Sequence, residues 1–509
     1  MRRLARDILV MALATGISRL LGLLRDVAIA DQLGAGAAYD AFLIAFFVPH
    51  FLRQLLAEGA LSTAFVPVYT SLRVAREDAD RFASGVLSWL IVLFAAVAGL
   101  GIWLAPAYVP FLASGFEAEK LALAVRLTRI VFPFIALVGF AAVFMGILNS
   151  YRRFFAASLA PVWFNVGMIV GILILAPRFP HQPVLGLALG VLIGGAGQLL
   201  AQVPPLLRVG FRFRLSFWPI HPAIQRLARL MAPAVLTLAV TQINLLVDNK
   251  LASHLGDGGI ASLQYGMRLF QLPLGVFAVS VATALLPRFS EAWARDDRAQ
   301  FSSYLRDGIA LSALVLLPAM VGLFAIGKDV IRLLFEHGSF GPEDTVRTAR
   351  VLLFYLIGLF PYGLVYLFSR AFYALGRTRL PLFAAAVAVG VNVSLDLLLV
   401  STMREGGLAL ATAVSGVVNG LLLGLFLVPR SQLPWKRVAL VSLGSGLLFG
   451  IAWGVRRLVG GGAIGVFVPL VVGVTSYAAF VRFTPLWKLV DRLRQDTEED
   501  EQRPENRPA

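Results

Sequence analysis

The chain has 509 residues, of which 58% are hydrophobic and 15% charged, with a mean hydropathy of +0.80 and a formal net charge of +16. A soluble domain holds about a quarter charged residues, so a chain this apolar could not cover its surface in water and belongs in a bilayer. With no cysteine there is no disulfide framework, thiol nucleophile or Cys-ligated metal, and basic residues that sit mostly between apolar segments point to membrane topology rather than to nucleic acid.

The N-terminal MRRLARDILVMALATG has the positive flank of a signal peptide, but its apolar run continues past Gly16 into Ser18 and Arg19 without a small-residue cleavage pattern. It is therefore expected to be a retained spanning helix. A span needs about 20 mostly apolar residues. On that criterion an all-α integral membrane protein with about 14 transmembrane helices is expected, the spans centred near residues 20, 54, 96, 135, 167, 196, 238, 276, 317, 362, 391, 418, 446 and 474. From residue 488 the chain becomes a charged tail, DTEEDEQRPENRPA at its end, with almost nothing to bury, and is expected to be disordered.

An even span count puts both termini on one side. Segments on that side hold Arg73, Arg76 and Arg81, Arg152 and Arg153, Arg208, Arg212 and Arg214, and Arg377 and Arg379, whereas the first opposite loop, residues 31–40, has no basic residue. Both termini are accordingly expected in the cytoplasm. One outer segment, residues 328–350, breaks the pattern with Lys328, Arg332, Arg347 and Arg350, and within it DVIRLLFEHGSF is expected to form a short interfacial helix.

The chain echoes itself at an offset of about 225 residues. MGILNSYRRFFAASLAP (145–161) resembles SRAFYALGRTRLPLFAA (369–385), and VPHFLRQLLAEGALSTAFVP resembles LPLGVFAVSVATALLP. Six spans separate the copies, which makes the repeat parallel and predicts two pseudo-repeated six-helix lobes around a central cavity, with two C-terminal helices outside them. The expected domains are 1–215, 216–430, a hairpin over 431–487 and the tail 488–509.

Arg19, Arg25 and Arg53 lie inside the first two spans, and Arg268 opens the eighth. An arginine at a helix centre is unfavourable by roughly 2.5–3.5 kcal/mol unless it meets water or a counter-charge. One reading pairs Arg19 and Arg25 with Asp26, Asp40 or Glu58 as ties between helices, or lets them snorkel. The other makes them a cationic cavity whose planar forks match the oxygens of an anionic, phosphate-bearing substrate. Pro49 and the Gly34/Gly36 pair add a freed carbonyl and a tight turn beside these arginines.

A second polar group comprises Asp248, Asn392, Asp396 and Thr412, with Asn392 and Asp396 four apart on one helix face. Completed by the Leu408 carbonyl, it has the oxygen ligands of a hard-cation site. Alternatively Asp396 is protonated or paired with Lys250, and Thr412 bonds its own helix. Catalysis finds no support: His50, His181, His221, His254 and His337 lack metal spacing, and neither GxSxG nor a P-loop occurs. The chain cannot itself hydrolyse ATP, so active movement would draw on an ion gradient, the membrane potential or product consumption.

These elements resemble the MurJ/MviN lipid II flippases of the MOP exporter superfamily. The matching stretches are SRLLGLLRD (18–26), GAGAAYDAF (34–42), PHFLRQLLAEGALSTAFVP (49–67), YGMRLFQLPLGVFAVSVATALLP (265–287), LLFEHGSF (333–340) and AFYALGRTRLP (371–381). The resemblance implies two six-helix lobes in a V, with the C-terminal pair forming a groove for a polyprenyl tail. It implies a non-enzymatic flippase that moves the undecaprenyl-diphosphate-linked peptidoglycan precursor outward across the bacterial inner membrane by alternating access. Carried over by position, the substrate residues fall on Arg19, Arg25, Arg53 and Arg268, with Ser18, Asp26, Asp40 and Glu58 as polar companions. The sodium site of some members falls on Asp248, Asn392, Asp396, Leu408 and Thr412. No required cofactor is implied, and the partners expected are lipid II, membrane lipids and, for a monomeric chain, the cell-wall synthesis machinery. The chain departs from several relatives at Phe47, His50 and Gln271, where they carry a basic residue, an Asn and an acid, which touches headgroup contacts and any proton coupling near Arg268.

The rival readings predict other features. An exporter of another polyprenyl-diphosphate glycan would share the arginines but not SRLLGLLRD together with AEGALSTAFVP. A drug/cation antiporter of the superfamily would have acids dominating the N-lobe, and a glycan polymerase would carry a catalytic acid in a large extracellular loop, whereas the loops here are short.

Overall fold

The computed structural model describes residues 2–54, 61–75, 77–153, 155, 158–218, 221–427, 433–489 and 491, with backbone alone for 2–13, 62, 63 and 232–243. Glu58 and all but a few residues of the charged tail lie outside this set, as do the expectations attached to them. Most of the described residues are helical, and none of them is in a strand.

In chain order the helices are α1 (Arg2–Leu33), α2 (Ala37–Arg53), α3 (Ser62–Val74), α4 (Ala79–Leu112), α5 (Ala118–Val131), α6 (Phe134–Ser150), α7 (Ala160–Val170), α8 (Val184–Leu200) and the short α9 (Val203–Arg208). Then come α10 (Pro222–Ala252), α11 (Gly259–Pro273), α12 (Val279–Ala294), α13 (Arg298–Phe335), α14 (Pro342–Ile357), α15 (Leu359–Ala374), α16 (Arg379–Met403), α17 (Glu405–Leu427), α18 (Trp435–Val459) and α19 (Gly462–Arg482). Among the described residues ten helices are long and apolar enough to cross a membrane, or eleven when the bent pair α14–α15 counts as one span. That is fewer than the fourteen expected. The other three expected passages are α1, α2 with α3, and α10; the first and last of these include residues whose side chains are not described, and the second brackets residues 55–60.

A further difference concerns DVIRLLFEHGSF. It is not a separate interfacial helix: residues 329–335 continue α13, which runs unbroken for 38 residues. The helix ends at Phe335, and the chain turns at Gly338, whose φ of +53° suits glycine.

The chain forms two compact units, Met1–Ala261 with Phe335–Asp344, and Ser262–Leu334 with Thr345–Ala509. In the first unit, α7 packs on α8 with glycines on both faces: a Cβ on Gly167 would lie 2.2 Å from Gly194 Cα, and one on Gly171 would lie 2.6 Å from Gly190 Cα. Backbone touches backbone there, the close approach that small residues permit in lipid. The same helix α7 contacts α1, while α2 contacts α5 and α6. Gly34 makes the expected tight turn, with φ +61° and a Cβ position only 2.4 Å from the Ser339 carbonyl oxygen.

In the second unit the core is built from Leu285 and Phe289 of α12, Phe301 and Leu305 of α13, Phe368 and Phe372 of α15, and Leu423 of α17. The C-terminal hairpin α18–α19 packs on α13 through Ala325, Ile326, Leu448, Ala452 and Val466. It is also held by two ion pairs, Arg437 to Asp307 and Arg456 to Asp329, the latter acid being buried.

Candidate functional site

Ser18 and Arg25 are seven residues apart on α1, two helical turns, and so share one face. That face meets α7. Arg25 is buried, and its Nε and Nη2 donate to Asp26 Oδ1 at 2.9 and 2.7 Å. Its Nη1 donates to Asn165 Oδ1 at 2.9 Å. The Asn165 amide then donates to the Ser18 carbonyl at 3.0 Å and lies 3.4 Å from Ser18 Oγ. Asn165 is thus the cross-helix brace for Arg25, and sequence reasoning missed it. The signal available was one buried amide in the apolar run VWFNVGM, which is unfavourable in lipid unless bonded.

The neighbouring residue on α7, Phe164, serves the second arginine. Arg53, at the C-terminal end of α2, lies 5.9 Å from the Phe164 ring centroid, a cation–π arrangement. Phe164 stacks on Phe46 at 6.2 Å, and Phe46 lies 5.3 Å from the His50 ring. An Arg53 terminal nitrogen, which can only donate, lies 3.4 Å from His50 Nδ1. The Gln54 amide nitrogen lies 3.2 Å from His50 Nε2, and because the guanidinium and the amide nitrogen both donate, the imidazole tautomer decides which ring nitrogen accepts. Two consecutive residues of α7 therefore position two arginines from two other helices. Arg19 is exposed on α1.

Asp40 has a different environment. It is fully buried at the start of α2, where its carboxylate accepts from Lys120 Nζ at 2.8 Å and from the backbone N–H groups of Gly258 and Ala261, each at 2.8 Å. It thereby caps α11 from outside, with negative charge at a helix N-terminus. Lys120 also reaches Asp257 at 2.9 Å. Arg268 lies on α11 within the second unit, partly buried.

Of the cation-site residues, Asp248 belongs to the first unit, where Asn244 lies 3.4 Å from its carboxylate. Asn392 and Asp396 on α16, and Leu408 and Thr412 on α17, belong to the second unit and are all buried. A Cβ on Gly407 would lie 2.6 Å from the Leu399 carbonyl, so α16 and α17 pack closely near their turn. Thr412 Oγ1 donates to the Leu408 carbonyl at 3.0 Å, the helix-internal bond. That bond uses the hydroxyl proton and leaves lone pairs on Thr412 Oγ1, so a buried carboxylate, amide and hydroxyl beside a helix carbonyl fit a hard cation chemically.

Apolar helices of this length, holding a bonded arginine between them, define a polytopic integral membrane protein. Residues 29–473 match the family described as "Lipid II flippase MurJ". The chain is 35% identical over 492 residues to the probable lipid II flippase MurJ of Thermotoga maritima, covering 96% of this chain and 98% of that protein. A solved lipid II flippase MurJ in an inward closed conformation matches with a TM-score of 0.81 at 29% identity, over 93% of this chain and 98% of the other. An inward-facing multidrug MATE transporter of the MOP superfamily shares the fold, with a TM-score of 0.67 at 16% identity over 84% of this chain and 96% of the other. The chain belongs to the MurJ lipid II flippase family.

Proposed function

We propose that this protein moves lipid II, the undecaprenyl-diphosphate-linked peptidoglycan precursor, from the cytoplasmic to the outer leaflet of the bacterial inner membrane by alternating access, with both termini cytoplasmic. The observation that carries the reading is Arg25: a guanidinium buried in an apolar helix and oriented by an amide on another helix. A diphosphate in hydrocarbon is prohibitive unless the protein substitutes for its hydration. Arginine does this with a bidentate, permanently charged fork. Arg19, Arg53 and Arg268 are its proposed co-ligands, with Ser18 and Asp26 as polar companions. Asp26 already occupies Arg25 Nε and Nη2, so a diphosphate binds by displacing that carboxylate or by adding to the remaining donors. The polyprenyl tail is proposed to lie along α18–α19, where Leu443, Leu447, Ile464 and Phe467 are exposed. A monomer working beside the cell-wall synthesis enzymes completes the proposal.

Asn392, Asp396, the Leu408 carbonyl and Thr412, with Asp248 as a further acid, would hold sodium. The ion would supply the positive charge that keeps Asp396 ionised. The fold match to a MATE transporter carries no cargo assignment to this chain, and the buried basic group on α1 suits an anion better than a drug cation.

Native mass spectrometry of the purified protein tests the reading. Lipid II is expected to bind, undecaprenyl alcohol to bind at least about tenfold more weakly, and Arg25→Ala to remove that difference. Equal binding of the alcohol and lipid II by the wild type would refute a diphosphate clamp.

A further inference from the structure

Between α9 and α10 the chain runs as VGFRFRLSFW, residues 209–218, without helix or sheet partner. Its backbone is nevertheless anchored. Arg214 N–H donates to Ser84 Oγ at 3.2 Å and Ser216 N–H donates to Ser88 Oγ at 2.9 Å. Both serines are buried on α4, and Ser88 Oγ passes its own proton to the Ser84 carbonyl at 2.8 Å. N–H groups two residues apart point the same way in an extended chain, so two hydroxyls replace a neighbouring strand and hold the segment flat on α4.

What this segment presents outward is apolar bulk together with positive charge. Phe213, Leu215 and Trp218 are 47%, 65% and 83% exposed. Arg208, Arg212 and Arg214 are exposed as well, and their guanidinium groups make no ion pair among the described residues. Of the acids at the start of α4, Asp78 accepts from Arg81 N–H as its cap and Asp80 accepts from Tyr69.

The depth of the segment follows from α4 itself. This helix begins with the charged residues Asp78, Asp80 and Arg81, and from Trp89 onward it exposes Ile91, Val92, Leu93, Leu100, Trp103 and Leu104. That apolar band is the face a spanning helix turns to lipid. The segment crosses α4 where charge gives way to the band, and its Phe217 packs edge-on against Trp89 at 5.8 Å. Aromatic and basic residues together at that depth are the chemistry of the headgroup layer.

We infer that residues 208–218 are an interfacial anchor that binds the anionic headgroups of phospholipids. Phe213, Leu215 and Trp218 insert at the level of the upper acyl chains, and Arg208, Arg212 and Arg214 take the phosphates. The serine clamp keeps this anchor in register with the lipid-facing band of α4. Charge complementarity selects the occupant, since an apolar surface alone would take any lipid.

The chain contains no cysteine, so Leu215→Cys introduces a single thiol for an environment-sensitive fluorophore. The labelled full-length protein is reconstituted in phosphatidylcholine vesicles containing brominated phosphatidylglycerol or, in parallel, brominated phosphatidylcholine. Quenching by both is expected, with phosphatidylglycerol favoured on the order of fivefold per arginine engaged. Arg208→Gln, Arg212→Gln and Arg214→Gln together should return the preference to about one. A label at Leu100→Cys, in the middle of the α4 band, should be quenched by both lipids equally and so reports that the variants remain folded in the bilayer. Three results would overturn the inference: a Leu215 label that no lipid quenches, equal quenching of that label by the two lipids with all three arginines present, or a preference displaced by soluble glycerol phosphate. Disulfide pairing of two copies through Cys at 215, without lipid quenching, would also overturn it and make the face a protein contact.

Discussion

Arginines inside this protein are used in two ways. Arg437 and Arg456 on α18 each find a carboxylate on another helix, Asp307 and Asp329 of α13, and hold the C-terminal hairpin in place. Arg25 instead takes its carboxylate from the adjacent residue on its own helix, Asp26, and crosses to α7 through a neutral amide. An ion pair between two helices commits both charges to packing. A pair within one helix neutralises the burial penalty without spending the charge on an ion pair between helices, and the cation remains available to another anion. That contrast separates structural arginines from the one proposed to handle substrate.

The largest effect that would sharpen the contrast is expected at the structural pair. Arg456→Ala leaves Asp329 buried without its cation, and unfolding in mild detergent should show a loss of about 3 kcal/mol. The fraction that stays folded should still bind lipid II. Next comes the brace: Asn165→Leu removes a charge-assisted bond to Arg25 and the bond to Ser18, about 1.5–3 kcal/mol by the same unfolding measurement. It should weaken lipid II binding as well, because Arg25 loses its orientation.

Arg25→Lys breaks the comparison open from the other side. It keeps the charge beside Asp26 but not the planar fork that also reaches Asn165, so lipid II affinity should fall about tenfold, with a loss of stability no larger than that of Asn165→Leu. Arg456→Lys should leave affinity unchanged. If both lysine variants behave alike, the distinction between the two uses is wrong. The smallest effect concerns the α16–α17 hairpin: sodium should raise the wild-type unfolding temperature and Asp396→Asn should abolish that rise, read by adding sodium or choline chloride at equal ionic strength.

The helical class, the membrane setting and the polar residues on α1, α2, α16 and α17 were legible in the sequence, because a charge or amide within an apolar run is conspicuous. The turn at Gly34 was legible for a similar reason, since paired glycines between spans permit a close approach. Partners were not. Asn165 is 140 residues from Arg25, and no local periodicity links them. Asp40 read as a companion of the arginines, yet its carboxylate caps α11 and pairs with Lys120, a role set by packing between helices distant in sequence. The end of α13 was misplaced because the charges in DVIRLLFEHGSF suggested an interface, whereas Asp329 lies in a continuous helix with its charge matched by Arg456.

The most direct test of the central claim uses cells in which this protein is the only flippase, with an externally added toxin that cleaves lipid II once it reaches the outer leaflet. The wild type should allow cleavage, and Arg25→Ala, present in the membrane at the same level, should abolish it. Undiminished cleavage with Arg25→Ala would contradict the assignment of this arginine to the substrate's diphosphate.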